Sequence, residues 1–309
     1  MHTHEHGDRS QTDRRALTAA LAIIGCFTVV EVVAGLVAGS LALLADAGHM
    51  LTDAAALGAA LFASWVAARP AGGRWTFGFR RVEILAAQAN GILLALLGVW
   101  IVYAAIRRLI SPRDVEGEIV VGVGLAGIAV SLAATAILAR GSRESLNVRG
   151  AFLHVAADVV AFAGTTVAGL LVLLTGWDRW DPLAGLAVAL LIFWAAFTLI
   201  RDSARIFLEA APSDIDPDAV GRALASEPHV VEVHDLHVWT VTSGFPALSA
   251  HVLVEPEVDC HAVRRSLERV LADEFDLSHT TLQVEHAQAV PRRVALGRAF
   301  RRRAPLGRR

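Results

Sequence analysis

The first two thirds of the chain alternate long apolar runs with short polar connections. Six apolar runs cover residues 16–38, 42–66, 82–105, 117–139, 152–174 and 182–200. Each run is close to the ~20 residues that an α-helix needs to cross the hydrocarbon core of a bilayer. The pattern therefore predicts six transmembrane helices, and the mean hydropathy of +0.52 agrees with a membrane protein.

After Arg201 the long apolar runs end and a polar segment begins. Its hydrophobic spacing predicts helices near 217–226 and 259–275 and strands near 229–242, 248–255 and 280–286. The α-β-β-α-β order is typical of a small α+β domain. We therefore divide the chain into an N-terminal tail (1–15), a six-helix transmembrane domain (16–208), an α+β domain (209–289) and an Arg-rich tail (290–309) that we expect to be disordered.

Arginine is distributed unequally between the two ends of the predicted spans. One set of ends carries Arg9, Arg14, Arg15, Arg69, Arg74, Arg80, Arg81, Arg140, Arg143, Arg149, Arg201 and Arg205, whereas the other carries Arg107, Arg108, Arg113 and Arg179. The positive-inside rule then places both termini in the cytoplasm. We predict a multi-pass protein of the cell (inner) membrane. The two cysteines suggest no disulfide pair, which fits a soluble part in a reducing compartment.

Two His–Asp pairs with the same spacing lie inside the predicted spans. His49 and His154 are the only histidines between Gly7 and Pro228, and Asp53 and Asp158 follow them by four positions. Residues four apart share one face of a helix. Two such pairs would supply two imidazole nitrogens and two carboxylate oxygens, which suit a tetrahedral zinc site. We predict a metal transport site here; the alternative is that the pairs only hydrogen-bond neighbouring helices.

Other polar residues inside the spans form weaker hypotheses. Asp46 lies on the same helical stripe as His49 and Asp53, so it is either a third acid on the ion path or a residue that orients His49 from behind. Glu31 and Asn90 are further cases, and each could instead hydrogen-bond across helices.

The N-terminus and the polar domain are both suited to divalent cations. The start, Met1-His2-Thr3-His4-Glu5-His6, is either a disordered polar tail or expression remnant, or a loose arm that captures metal; we expect no cleaved signal peptide. Fifteen acids against four Arg lie between Glu209 and Glu285, and such a surface concentrates cations. Because the domain is acidic, we expect no nucleic-acid partner.

The ligand chemistry predicts a mechanism. Metal ligands must be deprotonated to bind, so binding releases protons, and an alternating site would exchange metal outward for protons inward. Nitrogen ligands favour zinc, cadmium, cobalt or nickel over magnesium and calcium. An intramembrane metallo-hydrolase is disfavoured because the chain has no HExxH motif and four protein ligands leave no open position for water. A membrane-anchored metal sensor would not need two buried pairs. We expect neither enzymatic activity nor an organic cofactor.

Several motifs together resemble one family. The six spans, the paired HxxxD motifs, the approach Ser40-Leu41-Ala42-Leu43-Leu44-Ala45-Asp46 and the loop Phe77-Gly78-Phe79-Arg80-Arg81-Val82-Glu83 are similar to the cation diffusion facilitator family, zinc-transporting bacterial branch. The resemblance implies proton-coupled zinc efflux, since histidine at both first motif positions goes with zinc preference. It also implies a ferredoxin-like cytoplasmic domain that forms a homodimer.

The resemblance also implies a metal site in the cytoplasmic domain, which would either regulate transport or stabilise the dimer. The matching positions are His234, His251 and Glu285, whereas Gln283 stands where relatives have a histidine. His261 and His286 are weaker ligand candidates, and His237 and His279 are expected to be surface residues. Two departures limit the match: residues 69–75 offer no metal ligand, and residues 141–150 contain no histidine.

Overall fold

The computed structural model describes residues 22–138, 146–242, 244–287 and 299–301. The chain forms two compact units. One contains the described residues within 1–59 and 89–199, and the other contains those within 60–88 and 200–309. The predictions for the N-terminal tail and for the 141–145 part of the connection between the fourth and fifth spans fall outside the described residues.

Six helices occupy the described part of the predicted transmembrane domain. They are α1 (Ala22–Val37), α2 (Leu41–Ala67), α3 (Val82–Ile110), α4 (Gly117–Leu138), α5 (Leu146–Thr175) and α6 (Trp180–Phe207). Four of them, α3 to α6, contain stretches long and apolar enough to cross a membrane by length and composition. Helix α6 continues to Phe207, beyond the predicted end at residue 200, because that end was set by hydropathy and the polar residues that follow are also helical.

The helices expose large apolar side chains on their outer surface. Leu96 on α3 is 63% exposed, and Leu190 and Trp194 on α6 are 70% and 72% exposed. In water such surfaces would mark an interface or an aggregation hazard. In a bilayer they face lipid, while the helices satisfy their own backbone hydrogen bonds. The exposed surface therefore agrees with a transmembrane domain.

Helices α4 and α5 pack closely because glycines line their contact. A Cβ atom added at Gly127 would lie 2.5–2.7 Å from the Phe162 ring, and one added at Gly124 would lie 2.3 Å from Thr166 Oγ1. Gly169 on α5 approaches Val120 in the same way. Small residues of this kind let transmembrane helices approach each other closely.

The C-terminal part is an α+β domain, as predicted. It contains α7 (Pro217–Ser226), β1 (Val230–Thr242), β2 (Phe245–Val254), α8 (Cys260–Phe275), β3 (His279–His286) and β4 (Phe300–Arg301). The sheet order is β3-β2-β1-β4, with β1–β2 and β1–β4 antiparallel and β2–β3 parallel. Residues of α7, α8 and the sheet form one apolar core that includes Leu224, Val252 and Leu267.

The prediction that the whole Arg-rich tail is disordered is wrong at Phe300 and Arg301. These residues form β4 and pair with Val233 and Glu232 of β1. The ring of Phe300 packs against the apolar core of the domain. A two-residue strand leaves no alternating pattern in the sequence, so only the pairing with β1 reveals it.

Candidate metal sites

The two predicted HxxxD pairs lie on α2 and α5. His49 Nε2 is 3.6 Å from Asp53 Oδ2, and both side chains are about three-quarters buried, with 23% and 26% exposed. Asp158 on α5 is buried at 8% exposure. His154 lies on the same helix, but its side chain is outside the described part.

Helices α1, α2 and α5 meet beside these pairs. Phe27, Met50 and Phe162 form a buried cluster, and the Phe27 and Phe162 rings meet edge to face at 5.6 Å between centroids. Met50 follows His49 directly, and Phe162 lies one helical turn after Asp158 on the same face. The packing therefore brings the Asp53 segment of α2 and the Asp158 segment of α5 to the same region of the bundle.

Three buried acids from α1, α2 and α5 lie close to one another in this region. Glu31 and Asp46 are 0% and 3% exposed, and their carboxylates interact with each other and with that of Asp158. Acids are expensive inside an apolar span and commonly mark an ion or proton path. Glu31, an acid that the sequence singled out only weakly from its position in the first span, thus joins Asp46 and Asp158 in this buried region.

A second buried network caps the start of α2. Asp181 of α6 is 1% exposed and accepts hydrogen bonds from Ser40 Oγ at 2.5 Å and from the backbone N–H groups of Leu41 at 2.6 Å and Ala42 at 3.2 Å. Arg108 of α3 lies 3.4 Å from Asp181 Oδ2 and also donates to the Gly39 carbonyl. The helix that carries His49 and Asp53 is therefore anchored at its N-terminus by residues of α3 and α6.

The cytoplasmic domain brings together three ligand-capable residues. His234 of β1 pairs directly with His251 of β2, and their ring centroids are 5.5 Å apart. One ligand atom from each of His234, Asp235 and His251 lies within 4.8 Å of the others, and this is the one such group among the described residues. Two imidazoles and a carboxylate at this spacing fit a zinc ion with a fourth position left for water or another acid.

Asp235 enters this group because β1 contains a bulge. Between the pairs His234–His251 and His237–Ser249, β1 advances one residue more than β2, and Asp235 has φ of 48°. A bulge redirects side chains relative to the regular alternation of a strand. Asp235 was not predicted as a ligand because strand alternation alone would point its side chain away from that of His234. The one signal in the sequence was an acid between two histidines.

Glu285 lines the same cleft as His234 and His251, together with Gln283. Its carboxylate accepts a hydrogen bond from Gln283 Nε2, its neighbour on the same strand face. Glu285 is not one of the three residues whose ligand atoms cluster within 4.8 Å.

The two weaker histidine candidates lie elsewhere. His286 Nε2 is 3.4 Å from Cys260 Sγ and 3.0 Å from the Val258 carbonyl oxygen, next to the start of α8. His261 is exposed in the first turn of α8. Its backbone N–H donates to Asp259 Oδ1 at 2.9 Å. This hydrogen bond, together with a second one from the Ala262 N–H, lowers the pKa of Asp259. Neither histidine lies in the cluster of His234 and His251.

The loop between α2 and α3 contacts the β1–β2 hairpin within the second unit. Thr242 Oγ1 donates to the Arg80 carbonyl at 3.1 Å, and the Arg80 guanidinium lies 4.6 Å from the centroid of the Phe245 ring. Arg81 forms an ion pair with Glu209 at 3.2 Å. Arg80 and Arg81 of this loop therefore bind other segments of the same unit.

Comparison with known proteins identifies the family. The model of the cation efflux transmembrane domain matches residues 17–208, and that of the cation efflux protein cytoplasmic domain matches residues 212–287. The metal cation efflux system protein CzcD of Cupriavidus metallidurans is 38% identical, covering 93% of this chain and 90% of its own. The zinc transporter ZitB of Escherichia coli is 39% identical, covering 92% of each. A cadmium, cobalt and zinc/H(+)-K(+) antiporter of Bacillus subtilis is 34% identical, covering 92% and 91%.

Among solved structures, the metal-bound C-terminal domain of the CzcD transporter from Cupriavidus metallidurans is 38% identical, with a TM-score of 0.22. It covers 23% of this chain and 99% of its own. Both family models and full-length relatives above 30% identity agree with the motifs and the architecture described above. The chain therefore belongs to the cation efflux family, the cation diffusion facilitators, and is a multi-pass membrane transporter of metal cations and not an enzyme.

Proposed function

We propose that the protein exports zinc from the cytoplasm in exchange for protons, through a site formed by His49, Asp53, His154 and Asp158. The observation that carries this proposal is the packing of α1, α2 and α5. It brings the Asp53 and Asp158 segments together beside the buried acids Glu31 and Asp46. The names of two relatives, a zinc transporter and an antiporter that uses protons, support the same activity.

The donor set favours zinc among divalent ions. Two imidazole nitrogens and two carboxylate oxygens match the tetrahedral preference of zinc, whereas magnesium and calcium prefer six or more oxygens. Cadmium, cobalt and nickel accept the same ligands, so one of these ions as the main cargo is the alternative. Proton exchange follows because the ligands release protons when metal binds and take them up when metal leaves.

The topology completes the proposal. Both termini lie in the cytoplasm, and the protein sits in the cell (inner) membrane as a homodimer. The excess of arginine at one set of span ends supports this orientation. The family description of residues 212–287 as a cytoplasmic domain supports the same side for the C-terminus.

The cytoplasmic domain binds a regulatory zinc ion through His234, Asp235 and His251 in this proposal. Their donor atoms have a chemistry and spacing suited to the ion. The bulge at Asp235 and the direct cross-strand pairing of the two histidines hold the ligands on two adjacent strands. Glu285, which lines the same cleft, is the available fourth ligand.

Zinc uptake into proteoliposomes with an imposed pH difference tests the transport site. Asp53→Ala and Asp158→Ala should each abolish flux while leaving a folded protein, because each removes a charged ligand that no neighbour replaces. Asp202→Ala is the matched control, since Asp202 is an exposed acid that pairs with Arg201. Near-normal zinc flux in either site variant would refute the assignment.

Zinc-dependent thermal unfolding of the full-length protein tests the cytoplasmic site, with Asp53→Ala as background to remove the transport site. Zinc at a hundred times its Kd stabilises the folded form by about 2.7 kcal/mol. His234→Ala combined with His251→Ala should remove most of that shift, whereas His237→Ala, an exposed residue of the same strand, should preserve it. An unchanged shift in the double variant would exclude these histidines as ligands.

A further inference from the structure

Strand β4 lies beyond the residues that the cytoplasmic family model matches. The cytoplasmic family model ends at residue 287, whereas β4 comprises Phe300 and Arg301. It covers the outer edge of β1, and Arg301 is paired in register with Glu232. The tail of this chain therefore adds an element directly beside the strand that carries His234.

Phe300 fixes the position of β4 on the domain. Its ring packs against the apolar core and lies over Gly221 of α7. A Cβ atom at Gly221 would approach the ring to within 2.3–2.6 Å, so the contact requires glycine. The docking of β4 thus depends on a specific fit between Phe300 and Gly221.

Arg301 connects the tail to the metal site through Glu232. Arg301 Nε lies 2.7 Å from Glu232 Oε2, and the other oxygen, Glu232 Oε1, lies 3.7 Å from His234 Nδ1. The Glu232 side chain is only 18% exposed, whereas that of Arg301 is 71% exposed. The mostly buried Glu232 carboxylate therefore lies between the tail and a predicted zinc ligand. One of its oxygens pairs with Arg301, and the other lies just beyond hydrogen-bond distance of His234.

We propose that β4 is an autoinhibitory strap: Arg301 holds the Glu232 carboxylate away from an ion bound by His234, Asp235 and His251. The inference rests on the cytoplasmic site of the proposed function. A carboxylate that is paired with a guanidinium has to leave it before it can coordinate an ion or accept a hydrogen bond from the His234 ring. Strap docking and metal binding consequently oppose each other, and each weakens the other by the same factor.

The affinity of purified full-length protein for zinc tests the strap, with Asp53→Ala as background and a chelating fluorescent dye as competitor. Arg301→Ala should tighten zinc binding about tenfold, a usual size for coupling between two sites. The same change should have no effect once Glu232→Gln is present, because the carboxylate released by the strap is then missing. Arg269→Ala, which removes an exposed arginine from α8, should leave the affinity unchanged.

Gly221→Ala gives an independent perturbation, since it displaces Phe300 without altering the tail or a ligand. It should tighten zinc binding in the same direction as Arg301→Ala. If both variants bind zinc as tightly as the parent, the strap is refuted. If the variant lacking His234 and His251 also binds as the parent does, the cytoplasmic site itself is refuted, which separates the two failures.

Hydrogen exchange gives a readout that does not depend on affinity. Because the coupling is reciprocal, zinc should speed amide exchange in Phe300 and Arg301 of the parent protein and have no such effect in Glu232→Gln. Zinc that slows this exchange would mean that the strap supports binding and would overturn the proposal.

Discussion

Replacing Asp181 by alanine removes the acceptor at the centre of the network that caps α2. Ser40 Oγ and the backbone N–H groups of Leu41 and Ala42 would lose their partner at a position where Asp181 is 1% exposed. Arg108 would lose its ion pair with the same carboxylate. The substitution therefore leaves several donors and one cation unsatisfied in a buried location.

Two known magnitudes bound the loss of stability. Loss of an N-cap acceptor costs about 1 kcal/mol, and removal of one partner from a buried ion pair costs about 3–5 kcal/mol. The two values describe the same carboxylate and are not additive. Because Arg108 keeps its hydrogen bond to the Gly39 carbonyl, we expect the lower part of the range, about 3 kcal/mol.

The free energy of unfolding of the purified protein in detergent, followed by helical circular dichroism against denaturant, measures this loss. Asp178→Ala is the matched control from the same chain segment, since Asp178 accepts one hydrogen bond, from the Val115 N–H at 3.2 Å. Losing this hydrogen bond should lower the free energy of unfolding by about 1 kcal/mol. Asp181→Asn keeps one acceptor oxygen and should fall between the two. If Asp181→Ala costs no more than Asp178→Ala, the network does not anchor α2.

Two further predictions concern the membrane domain. Gly127→Ala places a Cβ against the Phe162 ring, and this overpacking should lower the free energy of unfolding by about 1–3 kcal/mol and with it the thermal midpoint. Gly122→Ala on the same helix is the control, because its Cβ would meet nothing within 4 Å. Equal midpoints for the two variants would contradict the close α4–α5 contact. His49→Asp should relax the discrimination between zinc and cadmium or manganese, because it replaces a nitrogen ligand with a hard oxygen; an unchanged ion profile in proteoliposomes would place His49 outside the ligand set.

The transmembrane architecture could be predicted from the sequence because it depends on local properties. Hydropathy over about 20 residues decides whether a segment prefers lipid, and a four-residue spacing decides which side chains share a helix face. The prediction of six apolar runs and the pairing of His49 with Asp53 needed no knowledge of distant contacts. The order of helices and strands in the cytoplasmic domain followed from periodicity in the same way.

Contacts between segments distant in the chain were decided only by the tertiary structure. Asp235 lies beside His234 because a bulge shifts the β1–β2 register, and a register shift depends on both strands. Asp181 caps a helix that begins 140 residues earlier, and Arg301 reaches Glu232 across 69 residues. No window of sequence contains both partners of such a contact, so its existence follows from how the elements pack and not from the composition of either segment.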